Sequence, residues 1–369
     1  MADRLTVVLD EVGERSPTVV GRYSSAMTAA LIETAPEGMD VAAIAAKLSD
    51  ARAARVEARL PGLAELRRTA VPSRELREAW LHSFTTIPVR GLVHATSLMA
   101  PLRRDPDRGD QVTVTVHGLQ SFSDRSKRKQ QWFERALRRA LQLADGIVVP
   151  TTAVAEDLAL LHDVGERVRV VHPAPSASLL EAAARVEPRA RLSLPDEYVL
   201  AITSPGSRGD ALRLVETVAS DAMPDVRVVV AGPVEWGETR LAGLAVEAGI
   251  PAGRLVMVGE LDDARLAIAH RRALAHLHVA EQDALGLTLL DAAALGTPTV
   301  HPASRSLSEI SGGASVAAAG GAAGLAAALG ALLEDDDERA RLRLAAQDRA
   351  NAFTWAAAAR EVWRLHAEL

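Results

Sequence analysis

The sequence predicts an α/β protein of two similar halves, each built on a parallel sheet, and three observations predict it. Short β-branched runs that do not alternate with polar residues, the mark of strands buried on both faces, recur at Leu5–Leu9, Val112–Val116, Gly146–Val149 and Val168–Val171. A second series follows at Tyr198–Ile202, Val226–Ala231, Leu255–Val258, Ala275–His278 and Pro298–Val300, with roughly a helix's worth of chain between successive runs. The chain is 369 residues long and 48% hydrophobic, enough for two cores, since domains usually run to ~100–200 residues.

Taken in order, the chain starts with Met1 to Val7 running straight into the first strand, without the basic and apolar regions of a signal segment, so the expected compartment is the cytosol. Gly21 opens a helix expected over Arg22–Leu31. His117 and Gly118 follow the strand Val112–Val116. Asp124–Ala144 is basic and amphipathic, with Trp132, Phe133, Leu137 and Leu141 on its apolar side. It reads as a helix laid on the first sheet, the alternative being contact with an anionic membrane surface. Pro173–Pro195 carries four prolines and a polar, charged middle, and reads as a linker. The expected domains are 1–180 and 181–351, with 352–369 a terminal helix whose Trp355 and Trp363 need apolar partners on the first domain. In the second half, Thr203–Asp210 and Glu281–Thr288 follow strands, and Gly286 leads into a helix that ends at Gly296. The acidic run Glu334–Glu338 precedes a helical stretch, Arg339–Asn351, where carboxylates complement the helix start; that reading is preferred to a metal site.

Composition excludes several classes of function. There is no cysteine, so disulfides, thiolate zinc sites and cysteine nucleophiles are ruled out. A net charge of −6, with the acidic surplus in the second half, argues against a nucleic-acid partner. No apolar run approaches the ~18 residues of a membrane span. Nearly all basic residues are arginine, the only lysines being Lys47, Lys127 and Lys129.

Open parallel sheets bind ligands at the carboxyl ends of their strands. There the sequence places Gly286, Leu287 and Thr288 at a helix start, where unpaired backbone N–H groups and the helix dipole attract a phosphate. Asp283 lies before the turn and Asp291 within the first turns of that helix, so both carboxylates would flank one ligand. Amides for a diphosphate and carboxylates for sugar hydroxyls suit a nucleotide-sugar, although carboxylates near helix starts are more often caps.

The order and spacing of motifs across the chain resemble those of the retaining glycosyltransferases of family four, which have the GT-B fold: two Rossmann-like domains with parallel sheets facing each other across a cleft. In the second half "VVVAGPVEWG", with Gly232, Trp236 and Gly237, is similar to the family's strand-to-glycine turn. Gly259 and the segment from Asp283 to Val300 follow its glycine-loop, acidic and Gly-Thr-Pro run, and "SLSEISGGASVA", with Glu309, its donor-side loop. In the first half "VVGRYSSAMTAAL", "LVHATSLMAP", "VTVTVHGL" and "GIVVPTTAVAEDL…VRVVHPAP" match in the same order, and "FTWAAAAREVWRLH" resembles the closing helix.

The resemblance implies transfer of a hexose from a nucleoside-diphosphate sugar, which is a co-substrate, with retention and without a metal. It implies that Asp291 holds the ribose, that Asp283 takes a sugar hydroxyl and that Gly286, Leu287 and Thr288 bind the diphosphate. His117 would meet the donor sugar, and Gly21 would admit the phosphate from the first domain. The acceptor would be a glycan, a lipid-linked sugar or a secondary metabolite, and the protein cytoplasmic, with peripheral contact at the inner face of the membrane.

Several positions depart from the family pattern. Asp283 and Asp291 stand where the family has glutamates, a shortening of ~1.5 Å each. Gly209 stands at the usual lysine and Thr203 at a usual glycine. Arg208 is the nearest cation to the phosphate position and Arg213 the next; a solvated loop arginine is the alternative for Arg208. Gly118, Ala280 and Leu285 also differ from the pattern. Two functions therefore stand side by side: an active hexosyltransferase, and a GT-B protein without transfer activity that binds or activates a partner glycosyltransferase. His94 and His82 are weaker candidates for acceptor contact.

Overall fold

The computed structural model describes residues 4–14, 17–84, 89–102, 110–119, 127–187, 192–204, 208–236 and 239–369. Gly237, residues 205–207 of the Thr203–Asp210 loop and residues 124–126 of the basic stretch, all singled out above, lie outside them. The chain divides into two compact units. The first comprises Met1–Pro173 together with Thr354–Leu369, and the second Ala174–Phe353.

The first unit holds a seven-stranded parallel sheet of β1 (Arg4–Leu9), β2 (Asp40–Ala45), β3 (Glu65–Arg68), β4 (Leu92–Ala95), β5 (Gln111–Thr115), β6 (Gly146–Val149) and β7 (Val168–Val170), in the order 3-2-1-4-5-6-7. Its helices are α1 (Val19–Glu33), α2 (Asp50–Arg59), α3 (Ser73–Leu81), α4 (Lys127–Leu143) and α5 (Thr152–Leu161). Leu5, Val7 and Val8 of β1 are fully buried, which is why this strand shows no polar alternation. Strand order reverses between β1 and β4, the place where such sheets open a crevice.

The second unit begins with α6 (Ala177–Arg185). Its six-stranded parallel sheet contains β8 (Tyr198–Ile202), β9 (Arg227–Ala231), β12 (Leu255–Gly259), β13 (Ala275–Leu277), β14 (Thr299–Pro302) and β15 (Val316–Ala318), in the order 12-9-8-13-14-15, beside a small hairpin of β10 (Glu235–Trp236) and β11 (Thr239–Arg240). The remaining helices are α7 (Arg208–Val218), α8 (Leu241–Glu247), α9 (Asp263–Arg272), α10 (Leu287–Ala294), α11 (Arg305–Ser311), α12 (Gly321–Glu334) and α13 (Asp336–Asn351), with α14 (Trp355–Glu368) returning to the first unit. Alternate residues of one strand serve opposite faces: Val199 and Ala201 pack with Leu214, Leu241 and Leu329, while Tyr198 and Leu200 pack with Ala269. Burial of each such side chain stabilises the fold by roughly 1.5–3 kcal/mol. The α/β class with two parallel sheets, expected from the sequence, is the observed one.

Three local expectations need correction. The helix expected from Arg22 begins at Val19, because Thr18 caps it and accepts the N–H of Gly21 at 3.1 Å. Gly21 therefore lies inside the first turn and does not open the helix. The stretch Pro173–Pro195 contains α6, capped by Ser176 and held by Leu179 and Ala183 against Ala267 and Leu295, so part of it is packed structure. Two further strands complete one side of the first sheet: β2 has only Val41 and Ile44 among its alanines, and β3, ELRR, is mostly polar, so neither is a continuous β-branched run. The acidic run serves a helix start as expected, but α13 begins at Asp336 and not at Arg339, and Glu334 closes α12: Asp335 caps α13 by accepting the N–H of Glu338 at 2.8 Å, and Asp336, Asp337 and Glu338 form its first turn. In the first unit Trp363 of α14 is buried and donates its indole N–H to Leu31 O at 3.3 Å.

Candidate functional site

In the second unit, strand order reverses between β8 and β13, and the segments leaving their carboxyl ends contain most of the residues picked out from sequence. Gly286 adopts the left-handed conformation (φ 55°) immediately before α10. A Cβ there would come within 2.9 Å of Ile310 Cδ1. Both the backbone angle and the space thus call for glycine. The first bond of α10 runs from Leu290 N–H to Gly286 O at 2.9 Å. Leu287, Thr288 and Leu289 consequently occupy the positions whose N–H groups an α-helix leaves without intrahelical acceptors.

Asp283 organises the approach to this helix. Its Oδ1 accepts the N–H groups of Leu285 and Gly286, both at 2.9 Å. Its Oδ2 lies 3.4 Å from Nε2 of the buried His278, whose Nδ1 is 3.1 Å from Thr288 Oγ1. The amide of Gly286 is therefore already satisfied by protein, and the helix-start donors left for an anion begin at Leu287. Asp291 is buried within α10, and its Oδ1 accepts the backbone N–H of Ser176 at 2.7 Å. Arg208 is the exposed first residue of α7. Arg213, one turn further along, pairs with Glu281 of the loop after β13 at 2.8 Å. The structure thus brings together Asp283, Gly286, Leu287 and Thr288, and links Asp291 to the start of α6.

In the first unit the carboxyl ends of β1 and β4 carry a cluster the sequence reading did not pick out. Asp10, buried, takes Arg77 through both oxygens at 2.9 Å and the hydroxyl of Ser97 at 2.8 Å. Arg77 also donates to Glu11 at 3.0 Å and lies over the ring of Trp132, 5.4 Å from its centroid. Burial raises the Asp10 carboxyl above its ordinary range and outweighs the lowering effect of Arg77. The signal available was an acidic pair directly after the first strand, but its arginine comes from α3, 67 residues on.

His117 follows β5 and donates through Nε2 to Thr96 O at 2.7 Å. That bond leaves Nδ1 as the lone-pair nitrogen, and Nδ1 is buried with no hydrogen-bond partner among the described residues. Burial lowers its pKa to about 4, so the ring is neutral at pH 7. Tyr23 of α1 packs edge-on against it, ring centroids 4.7 Å apart. Where Gly21 lacks a Cβ, the Glu11 carbonyl fills the space: a Cβ would sit 2.3 Å from that oxygen. His94 is fully buried, bonded to Thr113 at 2.9 Å, and its pKa is lowered to about 3 by burial. It is a core histidine. His82 is exposed at the end of α3.

Two family models match successive parts of the chain, Glycosyltransferase Family 4 over residues 20–175 and Glycosyl transferase-like over residues 209–363. No curated protein matches it. Among solved structures, sucrose-phosphate synthase from Thermosynechococcus elongatus is similar at a TM-score of 0.74 and 18% identity, covering 99% of this chain and 98% of that one. HepE from Anabaena, solved with UDP-glucose, has a TM-score of 0.68 and 15% identity, covering 99% and 100%. WaaG, a glycosyltransferase of lipopolysaccharide biosynthesis, has a TM-score of 0.65 and 13% identity, covering 97% and 98%. At these identities the likeness is one of fold.

Proposed function

This chain belongs to glycosyltransferase family four and has the GT-B fold, and from that premise we propose that it transfers a hexose, with retention, from a nucleoside-diphosphate sugar to a glycan, glycolipid or secondary-metabolite acceptor. The observation that carries the proposal is the start of α10. Gly286 turns the chain, Asp283 fixes the loop, and Leu287, Thr288 and Leu289 occupy helix-start positions without intrahelical acceptors; on this reading their N–H groups meet the charge that a diphosphate gathers as the glycosidic bond breaks. On this reading Arg208 adds the cation, and His117, held as the Nε2–H tautomer, offers Nδ1 to a substrate hydroxyl.

For a lipid-linked acceptor, the outward side of α4 carries Lys127, Arg128, Lys129, Arg135 and Arg138 against Glu134, suited to an anionic headgroup layer. Its apolar residues Phe133, Leu137 and Leu141 are buried, so such contact is electrostatic and peripheral. Among the described residues no helix is long and apolar enough to cross a membrane.

A second reading is favoured by one observation. Both carboxylates assigned to the donor already serve the protein, Asp283 holding Leu285 and Gly286 and Asp291 holding Ser176. A GT-B protein that keeps its loops ordered without turning over would have this arrangement, and would act as partner to another glycosyltransferase. The test is thermal unfolding with UDP, GDP and ADP in turn, followed by assay of sugar release from the corresponding donors. A bound nucleotide at a hundred times its Kd adds ~2.7 kcal/mol. Stabilisation with turnover supports transfer, stabilisation without turnover supports the partner reading, and no stabilisation by any of the three counts against a donor site.

A further inference from the structure

His278 lies between the two structures that make up the start of α10, the Asp283 loop and the first helical turn. It leaves the carboxyl end of β13 and is 6% exposed. Its Nε2 is 3.4 Å from Asp283 Oδ2, close enough for an ion pair but without hydrogen-bond alignment, and its Nδ1 is 3.1 Å from Thr288 Oγ1. No residue of the donor set assigned above includes it.

We infer that His278 is a positioning residue that couples proton uptake to the binding of a diphosphate at the start of α10, a role that rests on the donor-site reading above. The chemistry follows from which atoms face which. With the imidazole neutral, the carboxylate of Asp283 favours the tautomer with its proton on Nε2, because a lone pair facing a carboxylate is repelled. Nδ1 is then an acceptor, and the Thr288 hydroxyl must donate to it. Thr288 offers only lone pairs to anything bound at the helix start. When Nδ1 gains a proton the direction reverses: the imidazolium donates to Thr288 Oγ1, and the freed O–H of Thr288 points to an external acceptor. A phosphate oxygen at the helix start is such an acceptor, and the added positive charge beside it favours the same anion. Asp283 compensates that charge when the site is empty. Anion and proton therefore promote each other's binding, and the coupling must be reciprocal.

The other groups around His278 do not confuse this coupling between pH 6 and 8. His276 of β13 packs edge-on at 5.9 Å between ring centroids and His301 of β14 interacts with it electrostatically, but burial holds the first well below its ordinary range and the second at about 4, so both stay neutral. His270 of α9 meets His276 edge-on, ring centroids 5.7 Å apart. Arg213 pairs with Glu281 at 2.8 Å on the solvent side of the loop.

The experiment is calorimetric titration of UDP, GDP and ADP into the wild type, His278→Gln and Thr288→Val at pH 6, 7 and 8, in pairs of buffers with different ionisation enthalpies. The wild type is expected to take up a fraction of a proton on binding and to gain affinity over both variants as pH falls, by at most ~10-fold per pH unit, the limit for one linked proton. Comparison at each pH cancels the ligand's own ionisation, and Thr288→Val keeps His278 and Asp283 in place should His278→Gln misfold. Wild-type binding whose proton uptake and pH dependence persist unchanged in both variants overturns the inference and leaves the donor site standing. Absence of wild-type binding to all three nucleotides overturns both.

Discussion

The carboxylate of Asp291 in α10 accepts the backbone N–H of Ser176, the cap of α6, across 2.7 Å and 115 residues of sequence. It therefore has a structural duty whatever it does for a nucleotide. Asp291→Ala leaves a part-buried N–H without this acceptor and should cost about 1 kcal/mol in urea denaturation. Asp291→Asn keeps an acceptor in place and should cost less, with weaker nucleotide binding. Asp291→Glu adds a methylene to a closed site and should destabilise by about 1–3 kcal/mol. Equal stability of wild type and Asp291→Ala would show that the Ser176 contact carries no weight.

Asp283→Ala removes one acceptor from two amides, those of Leu285 and Gly286. Loss of the loop's fixing should reduce nucleotide affinity by about 10-fold or more, taking each net hydrogen bond as ~1 kcal/mol. Asp283→Asn, whose Oδ1 can still accept both, should retain most of the affinity lost by alanine. Calorimetry that ranked asparagine with alanine would point to the charge of Asp283, and not its loop geometry, as what matters.

Arg208 is exposed, so Arg208→Ala should leave stability within ~0.5 kcal/mol while lowering nucleoside-diphosphate affinity. Arg213→Ala breaks a surface pair with Glu281 worth ~0–1 kcal/mol. If titration showed Arg213→Ala more damaging to binding than Arg208→Ala, the phosphate contact would belong to Arg213.

Stability should fall on mild acidification, and in both units. Burial lowers His94 from its ordinary 6.5 to about 3, His366 and His301 to about 4, and His276 well below 6.5. Because folding depresses these values, the unfolded chain binds protons that the folded chain refuses once pH drops below 6.5. Their contribution is complete above pH 6.5 and is lost as pH falls toward about 4, each histidine costing on the order of 1–3 kcal/mol by then. Urea midpoints at pH 7.5, 6 and 5 should decrease steadily; a flat profile would mean that the imidazoles find partners on protonation.

Much of the architecture is legible without coordinates. The runs at Leu5–Leu9, Gly146–Val149 and Tyr198–Ile202 are strands because a sheet covered on both faces demands uninterrupted apolar residues, and that demand is written locally. The edge strands β3 and β15, and β2 beside β3, do not show this pattern. DVAAIA and VAA are rich in alanine, which carries no strand preference, and ELRR is largely solvated, so their pairing with neighbours decides their conformation.

The candidate site divides along the same line. By itself the sequence determined the glycine at position 286, the helix after it and the acidic residues at 283 and 291, since a turn and a helix start are properties of adjacent residues. Only the tertiary structure decided what those groups touch: that Asp283 spends one oxygen on two amides, that His278 stands between Asp283 and Thr288, that Asp291 holds Ser176, and that Arg77 reaches Asp10. The reason is geometric. A parallel sheet gathers the ends of strands far apart in the chain into one edge, and a hydrogen bond depends on tenths of an ångström set by that packing, which no local spacing of residues encodes.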